Sequence, residues 1–232
     1  MTGAAVDPEL ARLLRHARAL VGVTLADLAD GLGLPAPAGR VRTKGWSGQI
    51  IERELGAGGG GERGPDFQQL GVELKTVPVG DDGLPLESTA VCQIDPIAIA
   101  GESWETSYVR RKLAKVLFVA LAVPGRGTPV GDRRVVAAAL WSPSAAEEAV
   151  LAGDFNGFVT SFFRLGRAAE ITGHHGQALQ VRPKGKNAAD LRRAYGPDGR
   201  EVRIGKCGFY LRPSFVGRIL QDPAMLPPAP GS

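Results

Sequence analysis

Gly64-Pro65-Asp66-Phe67-Gln68-Gln69-Leu70-Gly71-Val72-Glu73-Leu74-Lys75 is the stretch around which the chain is organised. From Asp66 to Lys75 it gathers two carboxylates and one ammonium, and its last three residues alternate charged, apolar, charged. Side chains two apart in a strand share a face, so Glu73 and Lys75 point one way while Leu74 points into the core. A hard cation could sit between Asp66 and Glu73 with Lys75 beside it, which is the equipment for attacking a phosphodiester with an activated water. An isolated Glu-x-Lys more often makes a salt bridge on a solvated face. What favours a site is Pro65-Asp66 upstream of Glu73, together with the glycine-rich loop that lets Asp66 approach.

The totals suit one large domain or two closely joined lobes: 232 residues, 44% hydrophobic and 22% charged. No apolar run approaches the roughly 20 residues of a membrane span, and Met1 to Asp7 lacks the basic start and apolar core of a signal peptide. The expected location is cytoplasmic. Cys92 and Cys207 stand far apart and there are three histidines, so neither a disulfide framework nor a zinc site is indicated. The net charge of +4 is compatible with a polyanionic partner.

Upstream of the central stretch, apolar spacing predicts a helix from Pro8 to about Val21 and a second over Leu25 to Asp30, capped by Thr24. The second is acidic, which disfavours a DNA-reading helix-turn-helix. Arg40, Arg42 and Lys44 then precede a helix from Ser47 to Leu55. Lys44 is either solvated or a phosphate contact, and Glu52 either a surface carboxylate or a further acidic neighbour of the metal. Leu70 to Val79 reads as a strand, Gly80 to Gly83 as a turn and Ser88 to Ile94 as the returning strand of a hairpin.

Downstream, Ser107 caps a helix through Lys115 that carries Arg110, Arg111 and Lys112, and Val116 to Val123 is a buried strand. Arg133 to Leu140 reads as another strand. Ser142-Pro143-Ser144 begins a long helix exposing Glu147, Glu148 and Asp154, which turns it away from a polyanion. His174-His175 sits in a glycine-flanked turn without acidic or cysteine partners. A strand from Ala178 to Arg182 leads into Pro183-Lys184-Gly185-Lys186-Asn187 and a helix with Arg192 and Arg193, groups that bind phosphates and base edges. Tyr210, in Gly208-Phe209-Tyr210-Leu211-Arg212, packs equally well on a core as a strand aromatic.

Pro65-Asp66 followed by Glu73-Leu74-Lys75 resembles the PD-(D/E)xK nucleases. The surrounding text is more specific: Lys44-Gly45-Trp46, the helix with Glu52 and Leu55-Gly56-Ala57, Leu70 to Thr76, Pro85-Leu86-Glu87 and Trp104-Glu105-Thr106-Ser107 are similar to the MutH family of DNA mismatch repair endonucleases. The similarity covers nearly the whole chain. It implies an α/β (α+β) fold, a restriction-endonuclease-like mixed central sheet flanked by helices, with two lobes forming a DNA cleft. One nuclease domain over 1–232 would then divide into an N-terminal lobe, about 8–105, with most of the active site, and a C-terminal lobe, about 106–225, with DNA recognition. Ala90 departs from the pattern, standing where the family has an aromatic that assists DNA distortion.

The resemblance completes the assignment of roles. Asp66 and Glu73 would hold Mg2+ with the backbone carbonyl of Leu74, Glu52 being an outer or second-metal ligand. Lys75 would hold and help deprotonate the water, and Lys112 would stabilise charge on the phosphate. Lys44, Arg182 and Lys184 would contact DNA, and Tyr210 would test the target adenine for methylation. The implied substrate is a hemimethylated GATC duplex, nicked on its unmethylated strand by a monomer to leave a 5′-phosphate and a 3′-hydroxyl. MutL is the implied partner, with MutS acting indirectly and no membrane involved. Three alternatives stay open: a restriction endonuclease of the same fold cutting irrespective of strand methylation, a non-catalytic DNA-binding module, and a protein-interaction domain whose cations are surface charge.

Overall fold

The computed structural model describes residues 7–35, 45–58, 64–125, 127–187 and 189–222. In chain order the elements are α1 (Pro8–Ala19), α2 (Leu25–Gly31), α3 (Trp46–Glu54), β1 (Glu73–Val79), β2 (Thr89–Gln93), α4 (Tyr108–Leu113) and β3 (Val116–Ala122). There follow β4 (Arg134–Trp141), α5 (Ala145–Phe158), β5 (Leu179–Pro183), β6 (Leu191–Tyr195), β7 (Glu201–Gly205), β8 (Cys207–Leu211) and α6 (Pro213–Gln221). The chain groups into two units, one of residues 1–87, 115–142 and 217–232, the other of 88–114 and 143–216. Among the described residues no helix is long and apolar enough to cross a membrane.

The first unit is built on a mixed sheet of order β1-β3-β4, with β1 parallel and β4 antiparallel to β3. Local chemistry starts its helices. Asp7 accepts the Glu9 N–H at 2.9 Å ahead of Pro8, and Thr24 and Asp27 form a reciprocal capping box on α2. Leu13, Ala17, Ile50 and Ile51 from the helices meet Leu74, Leu117, Val119 and Leu121 from the strands in one core. On the opposite sheet face Phe118 packs against Trp141, ring centroids 6.0 Å apart. Six of the seven residues of β3 are buried, as expected of a strand covered on both faces. Burying Leu74 contributes roughly 2 kcal/mol and fixes the register of β1, because a slip of one residue would drive Glu73 and Lys75 into that apolar core.

The expected hairpin does not form. β1 runs parallel to β3, whereas β2 pairs with β8 in the other unit's sheet. Past the turn at Gly80 to Gly83 the returning chain makes a single bridge, Val79 to Pro85, with the Leu86 N–H donating to Pro78 O at 2.9 Å. That bond shows Pro78 turning its backbone toward the would-be partner. Without an N–H to donate there, the ladder stops.

In the second unit β8 lies between β2 and β5 in an antiparallel sheet. One face is apolar, with Phe209 against Phe155 at 5.6 Å and Phe158 at 6.0 Å. The helix expected to carry Arg192 and Arg193 is instead a two-stranded ribbon, β6 with β7. Gly196-Pro197-Asp198-Gly199 turns it, with Gly199 at φ +75° and the Gly196 N–H donating to Arg200 O at 2.8 Å. The acids of α5 also differ from the reading as solvated charge. Glu147 caps the helix with Ser144, Glu148 accepts from Trp104 and Arg110, and Asp154 accepts the N–H groups of Gln177, Ala178 and Leu179, fastening β5 to α5.

Candidate active site

A loop that closes on itself brings the carboxylates together. Phe67 and Val72 exchange backbone hydrogen bonds of 2.9 and 3.2 Å around a 3-10 turn, Gln68–Leu70. Gly71 ends the turn at φ +63°, in the left-handed region that favours glycine. The closure sets Asp66 beside the start of β1, where its Oδ2 accepts the Leu74 N–H at 2.7 Å. Lys115 holds the loop to β3: its carbonyl accepts the Glu73 N–H at 2.9 Å and its Nζ donates to Leu70 O at 3.3 Å.

Glu73 is only 3% exposed, and its Oε1 accepts from Lys75 Nζ at 2.6 Å. The two share one sheet face while Leu74 enters the core on the other. An ionised carboxylate taken out of water is costly even when paired, and an apolar residue would serve the fold at least as well. A buried acid and a lysine at a strand start, with a second acid clamped one residue away, are therefore better explained by chemistry than by stability. Glu52 is half-buried on α3, and its Oε1 and the Thr76 hydroxyl both lie within 4 Å of where a Cβ on Gly48 would stand. The donor atoms at Asp66, Glu73 and the strand carbonyl are all oxygens, which suits a hard divalent cation. Among the described residues no three His, Cys, Asp or Glu side chains gather as a metal cage.

The remaining candidates belong to the second unit, apart from Lys44, which lies outside the described residues. Lys112 sits half-buried on α4, its ammonium 5.6 Å from the Tyr108 ring centroid. α4 is held from below: Ser107 is fully buried and caps it, and Glu148 on α5 accepts from Arg110 Nε at 2.6 Å and from the Trp104 indole at 3.0 Å. The Arg110 hydrogen bond, with help from the indole, holds the Glu148 carboxyl below its ordinary 4.5. Glu148→Ala is expected to destabilise the protein by about 1–2 kcal/mol, chiefly by orphaning the buried indole N–H. Because the folded-state value is lowered, the part of this contribution that needs the carboxylate charge is present above the ordinary carboxyl range and lost as pH falls through the lowered value. Thermal melts of both proteins at neutral pH and under acid test it, and equal melting temperatures at neutral pH would count against it.

Arg182, Lys184 and Tyr210 come together on one face of the β2-β8-β5 sheet. Gln180 pairs with Tyr210 and Arg182 with Gly208, so alternation turns all four to the side opposite Phe209. Gly208 leaves room for Lys184, whose Cδ would stand 3.1 Å from a Cβ there. Ala90 is exposed beside Tyr210 on the neighbouring strand. Ser88 orients the arginine: its Oγ accepts from Arg182 Nη1 at 3.0 Å and from Gln180 Nε2 at 2.7 Å. Sequence reasoning missed Gln180, Ser88 and Lys115. Only Gln180 carried a signal, through its spacing of two from Arg182.

Burial pushes the Cys207 thiol up to about 11, and Cys92 is buried. His175 is engaged by the Thr172 N–H at 3.0 Å and by the Phe162 ring at 4.7 Å.

A mixed sheet whose first strand carries Glu-x-Lys, with a Pro-Asp carboxylate clamped beside it, is the arrangement of the restriction-endonuclease-like class of nucleases. Residues 55–154 match the family described as "DNA mismatch repair enzyme MutH". The DNA mismatch repair protein MutH of Vibrio cholerae is 43% identical over 210 residues, covering 90% of this chain and 94% of that protein. Those of Haemophilus ducreyi and Shewanella amazonensis are 41% and 43% identical over 212 and 214 residues, covering 91% and 92% of this chain. The chain belongs to the MutH family.

Proposed function

We propose that this DNA mismatch repair endonuclease nicks the unmethylated strand of hemimethylated GATC duplexes by hydrolysing one phosphodiester. The observation that carries the reading is the buried Glu73 carboxylate, paired to Lys75 and set beside the clamped Asp66. Asp66, Glu73 and the Leu74 carbonyl would hold Mg2+, with Glu52 as an outer ligand. When bound, the ion neutralises the phosphate, eases ionisation of water and supports the departing alkoxide.

The chain's own groups set the geometry and move the proton. Lys75 orients the attacking water and, as the free amine, accepts its proton. The water oxygen bonds to phosphorus and the P–O3′ bond breaks. The O3′ atom takes a proton from solvent, leaving a 5′-phosphate and a 3′-hydroxyl. Lys112 stabilises the added charge on the phosphate. Lys44, Arg182 and Lys184 grip DNA, and Tyr210 meets the adenine whose methylation is tested, on the face it shares with Arg182. The enzyme acts as a monomer in the cytoplasm, activated by MutL and through it by MutS, partners that the names of its relatives as mismatch repair proteins make reasonable.

Nicking of otherwise identical unmethylated, hemimethylated and fully methylated GATC duplexes with Mg2+ tests the proposal. Cutting confined to unmethylated strands is expected. Cutting of all three duplexes would indicate a restriction enzyme of the same fold, and cutting of none a binding module.

A further inference from the structure

We propose that Arg193 and Arg203 of the β6–β7 ribbon make a second contact with the DNA backbone, beyond that of Arg182, Lys184 and Tyr210. It rests on duplex DNA being the substrate. Arg193 and Arg203 are direct cross-strand partners in the ribbon. Like charges placed opposite each other weaken a strand pair, and an acid facing Arg193 would have served the fold better. Both are exposed, and Arg203 makes no ion pair among the described residues. Arg193 is tied only diagonally, to Glu201 at 2.6 Å, through side chains 64% and 47% exposed, so solvent screens the bond and it yields easily to another anion.

The surroundings fit a phosphate backbone. Tyr195 lies on the same face, 50% exposed, with a hydroxyl able to donate to a phosphate oxygen. With Arg192, the two arginines also line a cavity of about 520 Å³ against the turn around Asp95. Guanidinium forks match phosphate oxygens bidentately, and a two-stranded ribbon is narrow enough to follow a groove. The arginine pair thus widens the electrostatic footprint without reading sequence.

The test is a fluorescence binding titration of the full chain on a GATC duplex of about 30 base pairs, in EDTA so that nothing is cut, across a salt series. Arg193→Gln with Arg203→Gln is expected to weaken binding about tenfold and to flatten the slope of log affinity against log salt by about two. Glu201→Gln, which releases Arg193, is expected to tighten binding several-fold, an outcome that damage to the ribbon would not produce. Unchanged affinity and slope in the double variant, beside a wild type that binds well, would overturn the second contact alone. If the double variant melts early, the Glu201→Gln arm decides, and unchanged or weaker binding there overturns it. A wild type that does not bind duplex at all would instead sink the reading of the substrate. Loss of duplex nicking with unchanged binding in the double variant would point to a protein partner and also overturn the contact.

Discussion

Lys75→Ala is expected to lower nicking at least about 10²-fold while leaving affinity for the duplex within a few-fold. The lysine reaches Glu73 Oε1 at 2.6 Å from the same strand face, so it is placed to act where the carboxylate pair acts. It is one cation among many that can meet DNA, so binding need not follow activity. A second readout follows from burial. Removing the ammonium takes a counter-charge from a carboxylate that is 3% exposed. The expected cost is about 2 kcal/mol, less than the roughly 3–5 of a fully buried pair because Lys75 lies nearer solvent. In a chain of this length that lowers Tm by roughly 4–8 °C. Mg2+ added without DNA should restore more of Tm in the variant than it adds to the wild type, since the ion then supplies the missing charge. Near-normal nicking by Lys75→Ala would remove the assignment, whatever the melts show.

The parts of this site that were legible in the sequence are those set by local periodicity. Alternation across Glu73, Leu74 and Lys75 gave the shared face, and the unbroken apolar run of β3 gave a strand buried on both sides. Thr24, Ser107 and Ser144 marked helix starts because capping is a matter of three or four neighbouring residues. What was not legible depends on pairing at long range. A turn after β1 invited a hairpin, but the missing N–H of Pro78 ends the ladder on that edge, while the opposite edge of β1 pairs in parallel with β3. The ribbon was hidden by expecting a helix after Asn187, although Pro197-Asp198-Gly199 between two short runs is a turn signal. Glu148 and Asp154 looked like solvent-facing charge because their partners, Trp104, Arg110 and the start of β5, are remote in sequence. The same distance hid Ser88 and Lys115, whose neighbours say nothing of the arginine or the loop they hold.

Glu73→Gln carries the second large effect: nicking is expected to fall about 10³-fold with the fold retained. The amide is nearly the same size as the carboxylate and can still accept from Lys75, so the side chain keeps its place on the sheet face. What it loses is the charge on one of the two carboxylates proposed to hold the ion, and with it most of the hold on a divalent cation. The stabilisation by Mg2+ expected of the wild type should therefore vanish, whereas in Lys75→Ala it should grow. That opposition separates a ligand from a group that acts beside it, which activity alone cannot do. The double variant should nick no more slowly than Glu73→Gln by itself, because residues acting as one unit do not lose activity additively. A Glu73→Gln protein that nicks within tenfold of the wild type, or that still gains Tm from Mg2+, would place the cation elsewhere and reduce the buried pair to a structural bridge.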